Sequence, residues 1–132
     1  MIRVVGAMLE DDAGRLLITQ RLKTASLGGL WEFPGGKVLA GETDEAALSR
    51  ELRYRVDADV EVGEQAMATT HQYETYDLEF HVYKCKLKGK NAKIRNAKVA
   101  DHRWVRLDEL GNFQFPDADA KTVAALLELE EV

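Results

Sequence analysis

The chain has 132 residues, of which 45% are apolar and 31% charged, and its formal net charge at pH 7 is −5. This length and composition predict one soluble domain, residues 1–132, with a single core. No apolar run approaches the ~18 residues of a membrane helix, and no secretion signal opens the sequence, so we expect a cytoplasmic protein that does not enter a membrane.

Cysteine use agrees with that location. Cys85 is the single cysteine of the sequence, so it cannot form an internal disulfide, and a reducing compartment is expected. We expect its side chain to pack in the core.

The first third of the chain is predicted to contain short strands and turns. Alternating apolar residues in IRVVGAML and the run RLLITQRL flank the turn-rich segment EDDAG, which predicts an opening β-hairpin. Residues 24–29, TASLGG, predict a loop. The following LWEFPGGK predicts a short extended stretch that is broken by Pro34 and two glycines.

The first helix is predicted to begin after Thr43, which is a favourable N-cap residue. Two acidic residues follow it and complement the positive end of a helix. Leu48 and Leu52 place an apolar stripe on one face, and the pattern continues to about Arg55.

The second half of the chain predicts three more strands and a closing helix. The strands are expected in ADVEVGEQAMATTHQY, YDLEFHVYKCKL and HRWVRL, and the helix in DADAKTVAALLELEE. Strands and helices interleave without a regular βαβ repeat. The sequence therefore predicts an α/β fold in which helices cover a mixed sheet.

A basic segment runs from Lys84 to Lys98 and holds seven cations and no acid. It either binds a polyanion or belongs to a hairpin whose lysines keep an edge strand soluble. Aromatic residues do not interleave with these charges, so we expect no nucleic-acid partner.

One face of the first helix carries the residues most relevant to chemistry. Arg50, Glu51, Tyr54 and Arg55 share an arc of roughly 140° on a helix. Carboxylates at spacing i, i+3 and i+4 would offer Mg²⁺ the oxygen ligands that it prefers. Here only Glu51 is a carboxylate, since positions 54 and 55 hold tyrosine and arginine.

The spacing around this helix is similar to the Nudix box, G-x5-E-x7-R-E-U with U apolar. Gly36, Glu42, Arg50, Glu51 and Leu52 match it. The segments LLITQRL, LWEFPGGK and FQFPDAD resemble the MutT and CTP pyrophosphohydrolase branch of the Nudix hydrolase superfamily. The resemblance implies a Nudix α/β/α sandwich with a mixed β-sheet and a loop-helix-loop Nudix box.

The resemblance implies two alternative functions. The first is a pyrophosphohydrolase that converts nucleoside triphosphates to monophosphates and pyrophosphate, with Mg²⁺ or Mn²⁺ as cofactor if the protein is active. The second is a catalytically inactive module that binds nucleotides or another partner and needs no cofactor. A nucleoside di- or triphosphate is the expected ligand.

The resemblance also marks where this chain departs from the family. The family's further metal-ligand positions fall on Tyr54, Arg55 and Lys98, which changes the formal charge of the site by about +5. We expect Glu51, as the catalytic carboxylate, and the Gly36 carbonyl to remain as weak metal contacts. The box glycine is replaced by Asp57, which would add a carboxylate only if the helix end turned it inward.

Two hypotheses remain for the part of the box that this sequence matches. In one, Gly36 and the expected ion pair of Glu42 with Arg50 serve only to hold the loop on the helix. In the other, Arg55 and Lys98 replace the metal and bind phosphate oxygens directly, because guanidinium groups suit phosphate.

Two further residues are expected to face the substrate. Arg21 falls where related enzymes place an arginine near the phosphates, although a strand-end arginine in solvent gives the same pattern. Asp119 is expected to contact the nucleobase, where an ionised carboxylate would favour N–H donors such as the cytosine amino group. Alternatively, Asp117 or Asp119 caps the last helix.

Overall fold

The computed structural model describes residues 1–89 and 92–131, and it describes side chains as far as residue 127. Strands and helices alternate along that part of the chain. In order they are β1 (Ile2–Leu9), β2 (Leu16–Gln20), β3 (Trp31–Glu32), β4 (Gly35–Lys37), α1 (Asp44–Val56), β5 (Val60–Gln72), β6 (Asp77–Leu87), β7 (Asp101–Val105), the 3-10 helix η1 (Leu107–Asn112) and α2 (Asp117–Glu131).

The strands form two sheets. The larger sheet has the order β4-β1-β6-β5, with β1 parallel to β6 and the other pairs antiparallel. The smaller sheet, β3-β2-β7, is antiparallel. The predicted mixed sheet is therefore confirmed, and a second sheet accompanies it.

The two α-helices close separate parts of the core. Leu48 and Leu52 of α1 pack on one side of the larger sheet in a cluster that includes Val5. Val123 of α2 belongs to the other cluster, which contains Phe80 of β6. This arrangement confirms the α/β/α sandwich, and none of the helices in the described ranges could span a membrane.

Cys85 lies in the core, as expected from the sequence. Its side chain is buried, and this burial raises the pKa of the thiol to about 12.

The predicted opening hairpin forms only at its turn. Asp11 N donates to Arg15 O at 2.9 Å, and Glu10 bridges Leu16, but β1 and β2 then separate into different sheets. They separate because β4 and β6 already pair with the two edges of β1.

The stretch LWEFPGGK also divides between the sheets. Its first half forms β3 and its second half forms β4, with Pro34 between them. The carbonyl of Pro34 accepts a hydrogen bond from Ala7 N at 2.8 Å, which fixes the crossing to β1. The segment therefore joins both sheets at one point.

The basic segment lies on β6 and the loop that follows it, and its residues 90 and 91 fall outside the described part. Lys84 Nζ lies 3.3 Å from Glu64 Oε1 on the neighbouring β5, which is an edge strand. This contact agrees with the hairpin alternative for the lysines.

Helix α1 has the N-cap that the sequence predicts. Thr43 Oγ1 accepts a hydrogen bond from Ala46 N at 3.1 Å. The helix ends at Asp57, which has φ 53° and ψ 42° in the left-handed region. Glycine adopts this conformation without strain, which explains why a glycine suits the position.

Replacing Asp57→Gly is expected to raise the free energy of unfolding by about 0.5 to 1 kcal/mol, because glycine has no Cβ and the change removes a negative charge from the helix C-terminus. Urea denaturation measures this gain. Asp57→Ala is the control, since it removes the charge and retains a Cβ. A variant with alanine as stable as the one with glycine would contradict the backbone explanation.

Candidate functional site

A cavity of about 720 Å³ opens where the two sheets, α1 and the start of α2 meet. One end is apolar and aromatic, and the other is charged. Its lining residues are Ile2, Val4, Val5, Arg21, Ser26, Leu27, Glu32, Phe33, Gly35, Gly36, Lys37, Leu39, Glu51, Arg55, Tyr73, Tyr76, Leu78, Phe80, Pro116, Ala118 and Asp119.

Five of the residues singled out from the sequence line this cavity. Arg21 enters from the end of β2, Gly36 from β4, Glu51 and Arg55 from α1, and Asp119 from the first turn of α2. Segments that are far apart in sequence therefore contribute to one site.

Tyr54 and Lys98 do not line the cavity. Both side chains are exposed, and Lys98 Nζ lies 5.9 Å from the centroid of the Tyr54 ring. Lys98 N donates to Arg55 O at 2.9 Å, so the loop that carries Lys98 is held against the end of α1. Positions 54, 55 and 98 are thus neighbours.

Outside the cavity lining, Glu42 and Arg50 form the expected ion pair. Arg50 Nε donates to Glu42 Oε2 at 2.8 Å, and Arg50 Nη2 donates to Glu42 Oε1 at 2.9 Å. Glu42 also accepts from Leu39 N, and Arg50 donates to the Lys37 carbonyl. These hydrogen bonds tie the loop after β4 to α1 and lower the pKa of Glu42 to about 2.

Replacing Glu42→Gln is expected to lower the thermal unfolding temperature at neutral pH, because Arg50 loses its charged partner. A carboxyl group with a lowered pKa stabilises the fold above its ordinary pKa, near 4.5, and loses that effect as pH falls toward 2. The difference in unfolding temperature between wild type and Glu42→Gln should therefore shrink as pH falls from about 4.5 toward 2, which a series of thermal melts measures.

Glu61→Gln is the matched control, because Glu61 is exposed on β5. Equal unfolding temperatures for Glu42→Gln and wild type at pH 7 would refute a structural role for the ion pair.

Glu51 is held by two arginines. Its side chain is 10% exposed. Arg50 Nη1 donates to Oε1 at 2.7 Å, and Arg55 Nε donates to Oε2 at 2.6 Å. A Cβ on Gly36 would lie 2.5 Å from Glu51 Cδ, so a larger residue there would displace the carboxylate from this position.

The residues present do not fit a Mg²⁺ or Mn²⁺ ion. Such an ion prefers several carboxylate oxygens and water in octahedral geometry. Both oxygens of Glu51 are hydrogen-bonded to guanidinium groups, and Arg55 places a positive charge where the family has a ligand. In residues 1–89 and 92–127, whose side chains the structure describes, no three Asp, Glu, His or Cys side chains form a group suited to a metal.

Asp57 does not supply the missing carboxylate. It is exposed at the end of α1, outside the cavity lining, and its Oδ2 lies 3.6 Å from Arg95 Nη1.

Sequence reasoning missed Glu32, which lies at the centre of the charged end. Its Oε1 accepts from Arg21 Nη1 at 2.9 Å, and its Oε2 lies 3.9 Å from Arg55 Nη1. Oε2 is buried and makes no hydrogen bond within the described residues. Burial raises the pKa of Glu32. The available signal was a charged residue inside the otherwise apolar stretch LWEF.

Asp119 lies inside α2 and points into the cavity. The helix begins at Asp117, so Asp119 is in its first turn, and it is 9% exposed. Phe33 N donates to its Oδ2 at 3.4 Å. Burial, and then the nearby Glu32, raise the pKa of Asp119 well above its usual value. A raised pKa favours the protonated form of the carboxyl group, which can donate a hydrogen bond as well as accept one, whereas the ionised form expected from the sequence only accepts.

Two tyrosines from the β5–β6 turn, also missed from the sequence, complete this end. The rings of Tyr73 and Tyr76 stack with centroids 5.0 Å apart and an interplanar angle of 29°. Tyr73 Oη accepts from Ala118 N at 3.3 Å, which connects the turn to the start of α2. The result is an aromatic wall beside Asp119.

Comparison with known proteins gives the class of this fold and site. Residues 4–125 match the family model described as the NUDIX domain. The chain is 31% identical over 129 residues to a CTP pyrophosphohydrolase of Escherichia coli, covering 98% of this chain and 93% of that protein. It is 37% identical over 131 residues to a putative 8-oxo-dGTP diphosphatase 2 of Mycobacterium tuberculosis, covering 95% and 86%.

Solved structures agree. The E. coli ORF135 protein has a TM-score of 0.82 at 28% identity, covering 98% of this chain and 91% of that one. MutT of methicillin-resistant Staphylococcus aureus has a TM-score of 0.71 at 34% identity, covering 96% and 95%. The chain therefore belongs to the Nudix family, and its relatives include MutT-type hydrolases.

Proposed function

We propose that this chain is a MutT-type nucleoside triphosphate pyrophosphohydrolase with strongly impaired catalysis. It binds a nucleoside triphosphate in the cavity and cleaves it slowly to the monophosphate and pyrophosphate. The observation that carries the proposal is that one cavity joins an aromatic end, with Asp119, to a guanidinium end beside the Nudix helix. The relatives named above support the substrate class, and the buried thiol of Cys85 supports a cytoplasmic location.

The aromatic end is proposed to hold the base. Tyr73, Tyr76 and Phe80 offer ring faces and edges to a planar ligand. A protonated Asp119 both donates and accepts, so it complements a base edge that carries an acceptor beside an N–H donor, as cytosine does.

The charged end is proposed to hold the phosphates beside Glu51, the box carboxylate that remains on α1. A water that attacked the phosphate chain would compete with Arg50 and Arg55 for the oxygens of Glu51. This competition, together with the missing carboxylates, is the proposed reason for slow cleavage.

One observation favours a second function, a nucleotide-binding module with no catalysis. The Arg55 to Glu51 ion pair occupies the part of α1 where the family binds its cation. Both functions involve binding of the same ligand, and they differ in whether any product forms.

The test measures binding and products on the same samples. Equilibrium binding of CTP, dCTP, GTP, ATP and UTP is measured by calorimetry, and long incubations with Mg²⁺ or Mn²⁺ are analysed by anion-exchange chromatography. The proposal expects binding of at least one triphosphate and slow release of monophosphate and pyrophosphate. Binding without product supports the module instead, and no binding of any triphosphate overturns both. Asp119→Ala, which removes both the donor and the acceptor, should change the order of preference among bases, whereas Asp119→Asn, whose amide both donates and accepts, should retain it.

A further inference from the structure

We propose that the phosphate groups of the nucleotide bind directly between the guanidinium groups of Arg21 and Arg55 without a divalent cation, so that the ligand is the metal-free polyphosphate. The identity of the ligand as a nucleotide rests on the proposed function. The binding mode does not, because it concerns the polyphosphate alone.

Glu32 places the two guanidinium groups on one wall of the cavity. Its Oε1 lies 2.9 Å from Arg21 Nη1 and its Oε2 lies 3.9 Å from Arg55 Nη1. Arg21 comes from the end of β2 and Arg55 from the end of α1, so one largely buried carboxylate orients cations from two elements. Their side chains are 23% and 24% exposed, and both line the cavity.

Both arginines retain N–H donors for a ligand. Within the described residues, Arg55 donates only its Nε, to Glu51, and neither terminal nitrogen makes a hydrogen bond. Arg21 uses Nε for the Ser26 carbonyl at 2.6 Å and Nη1 for Glu32. Arg21 Nη2 makes no hydrogen bond to any residue that the structure describes. Guanidinium groups with free N–H groups bind phosphate oxygens strongly and in fixed directions.

A divalent cation on the ligand opposes this mode of binding. Mg²⁺ bound to a polyphosphate cancels part of its negative charge and brings a second cation close to Arg55. Arg55 is held near this position by Glu51 and Glu32, so it cannot easily move away. Excess Mg²⁺ should therefore weaken binding, whereas a site built around a metal would need it.

The experiment uses CTP and inorganic tripolyphosphate as probes. Calorimetry with the full chain compares excess EDTA with excess Mg²⁺ at matched ionic strength, since screening alone changes such affinities. We expect both probes to bind at least as tightly in EDTA as in Mg²⁺. Arg55→Gln should weaken binding in EDTA by at least about tenfold, and Arg55→Lys, which retains the charge but not the forked donors, by less.

Arg53→Gln is the matched control. Arg53 is on the same helix, but its side chain is exposed, pairs with Asp59 and does not line the cavity. Its affinity for both probes should equal that of wild type. Thermal unfolding shows whether each variant is folded, and if Arg55→Gln is not, Arg55→Lys and Arg21→Gln give the same comparison.

The outcomes separate this inference from the proposed function. Binding of CTP that requires Mg²⁺, or that Arg55→Gln leaves unchanged, overturns the inference and leaves the proposed function standing. Binding of tripolyphosphate but not of any nucleotide supports the arginine pair and overturns the proposed function. Failure of both probes in both conditions overturns the inference, and the proposed function is then decided by the other triphosphates of the panel.

Discussion

Replacing Tyr54→Glu, Arg55→Glu and Lys98→Glu together is expected to raise Mg²⁺-dependent hydrolysis of nucleoside triphosphates by several orders of magnitude. The three positions are adjacent, because Lys98 lies over Tyr54 and its backbone is bonded to the carbonyl of Arg55. Position 55 in turn contacts Glu51. The triple change removes two cations, frees one oxygen of Glu51 from Arg55 and places three more carboxylates on neighbouring positions at the end of α1, and carboxylate oxygens are the ligands that Mg²⁺ prefers.

The single replacements are expected to have little effect on the rate. A glutamate at position 54 alone would pair with Lys98, and one at position 98 would lie near Arg55. Each new carboxylate would then form an ion pair rather than a metal ligand. Initial rates with CTP over a Mg²⁺ titration, together with direct Mg²⁺ binding by calorimetry, measure both effects. A folded triple variant that binds no Mg²⁺ and is as slow as wild type would contradict the account.

Gly35→Ala is expected to cost about 3 kcal/mol or more of unfolding free energy, or to prevent folding. A Cβ on Gly35 would lie 1.9 Å from the carbonyl oxygen of Val5 and 2.9 Å from the Cα of Gly6. These are backbone atoms of β1, paired with β4, so they cannot move aside without breaking the strand pair.

Urea denaturation measures the effect of Gly35→Ala, with Gly111→Ala as its control. A Cβ on Gly111 would meet nothing within 4 Å, so that variant should stay within about 0.5 kcal/mol of wild type. Equal free energies of unfolding for the two variants would show that the fold does not depend on the close approach of β4 to β1.

Local signals in the sequence were sufficient for the helices. The N-cap at Thr43 and the apolar stripe of α1 depend on residues a few positions apart, and the structure has both. The separation of β1 and β2 into two sheets was not predictable in this way. It depends on β4 and β6 pairing with β1, and β6 is about 70 residues further along the chain.

In the candidate site, too, local sequence signals predicted some residues, and long-range contacts determine the others. The fixed spacing of the box located Glu42, Arg50 and Glu51, because a loop and one helix set their geometry. The role of Glu32 depends on arginines that arrive from two other elements, so its own segment showed a charged residue among apolar ones but not the partners of that residue.

The sequence also left two roles open for Asp119, as a cap or as a contact in the site. An acidic residue at the start of a helix has the same local pattern in both cases. Only the long-range contact between α2 and Phe33, which follows β3, buries the side chain and directs it into the cavity.

The steady-state turnover of wild-type protein with CTP and saturating Mg²⁺ tests the central claim most directly. Because Arg50 and Arg55 occupy both oxygens of Glu51, we predict a rate orders of magnitude below the roughly ten per second of a typical enzyme. Turnover near ten per second, with monophosphate and pyrophosphate as products, would show that this residue set supports ordinary Nudix catalysis and would contradict the account.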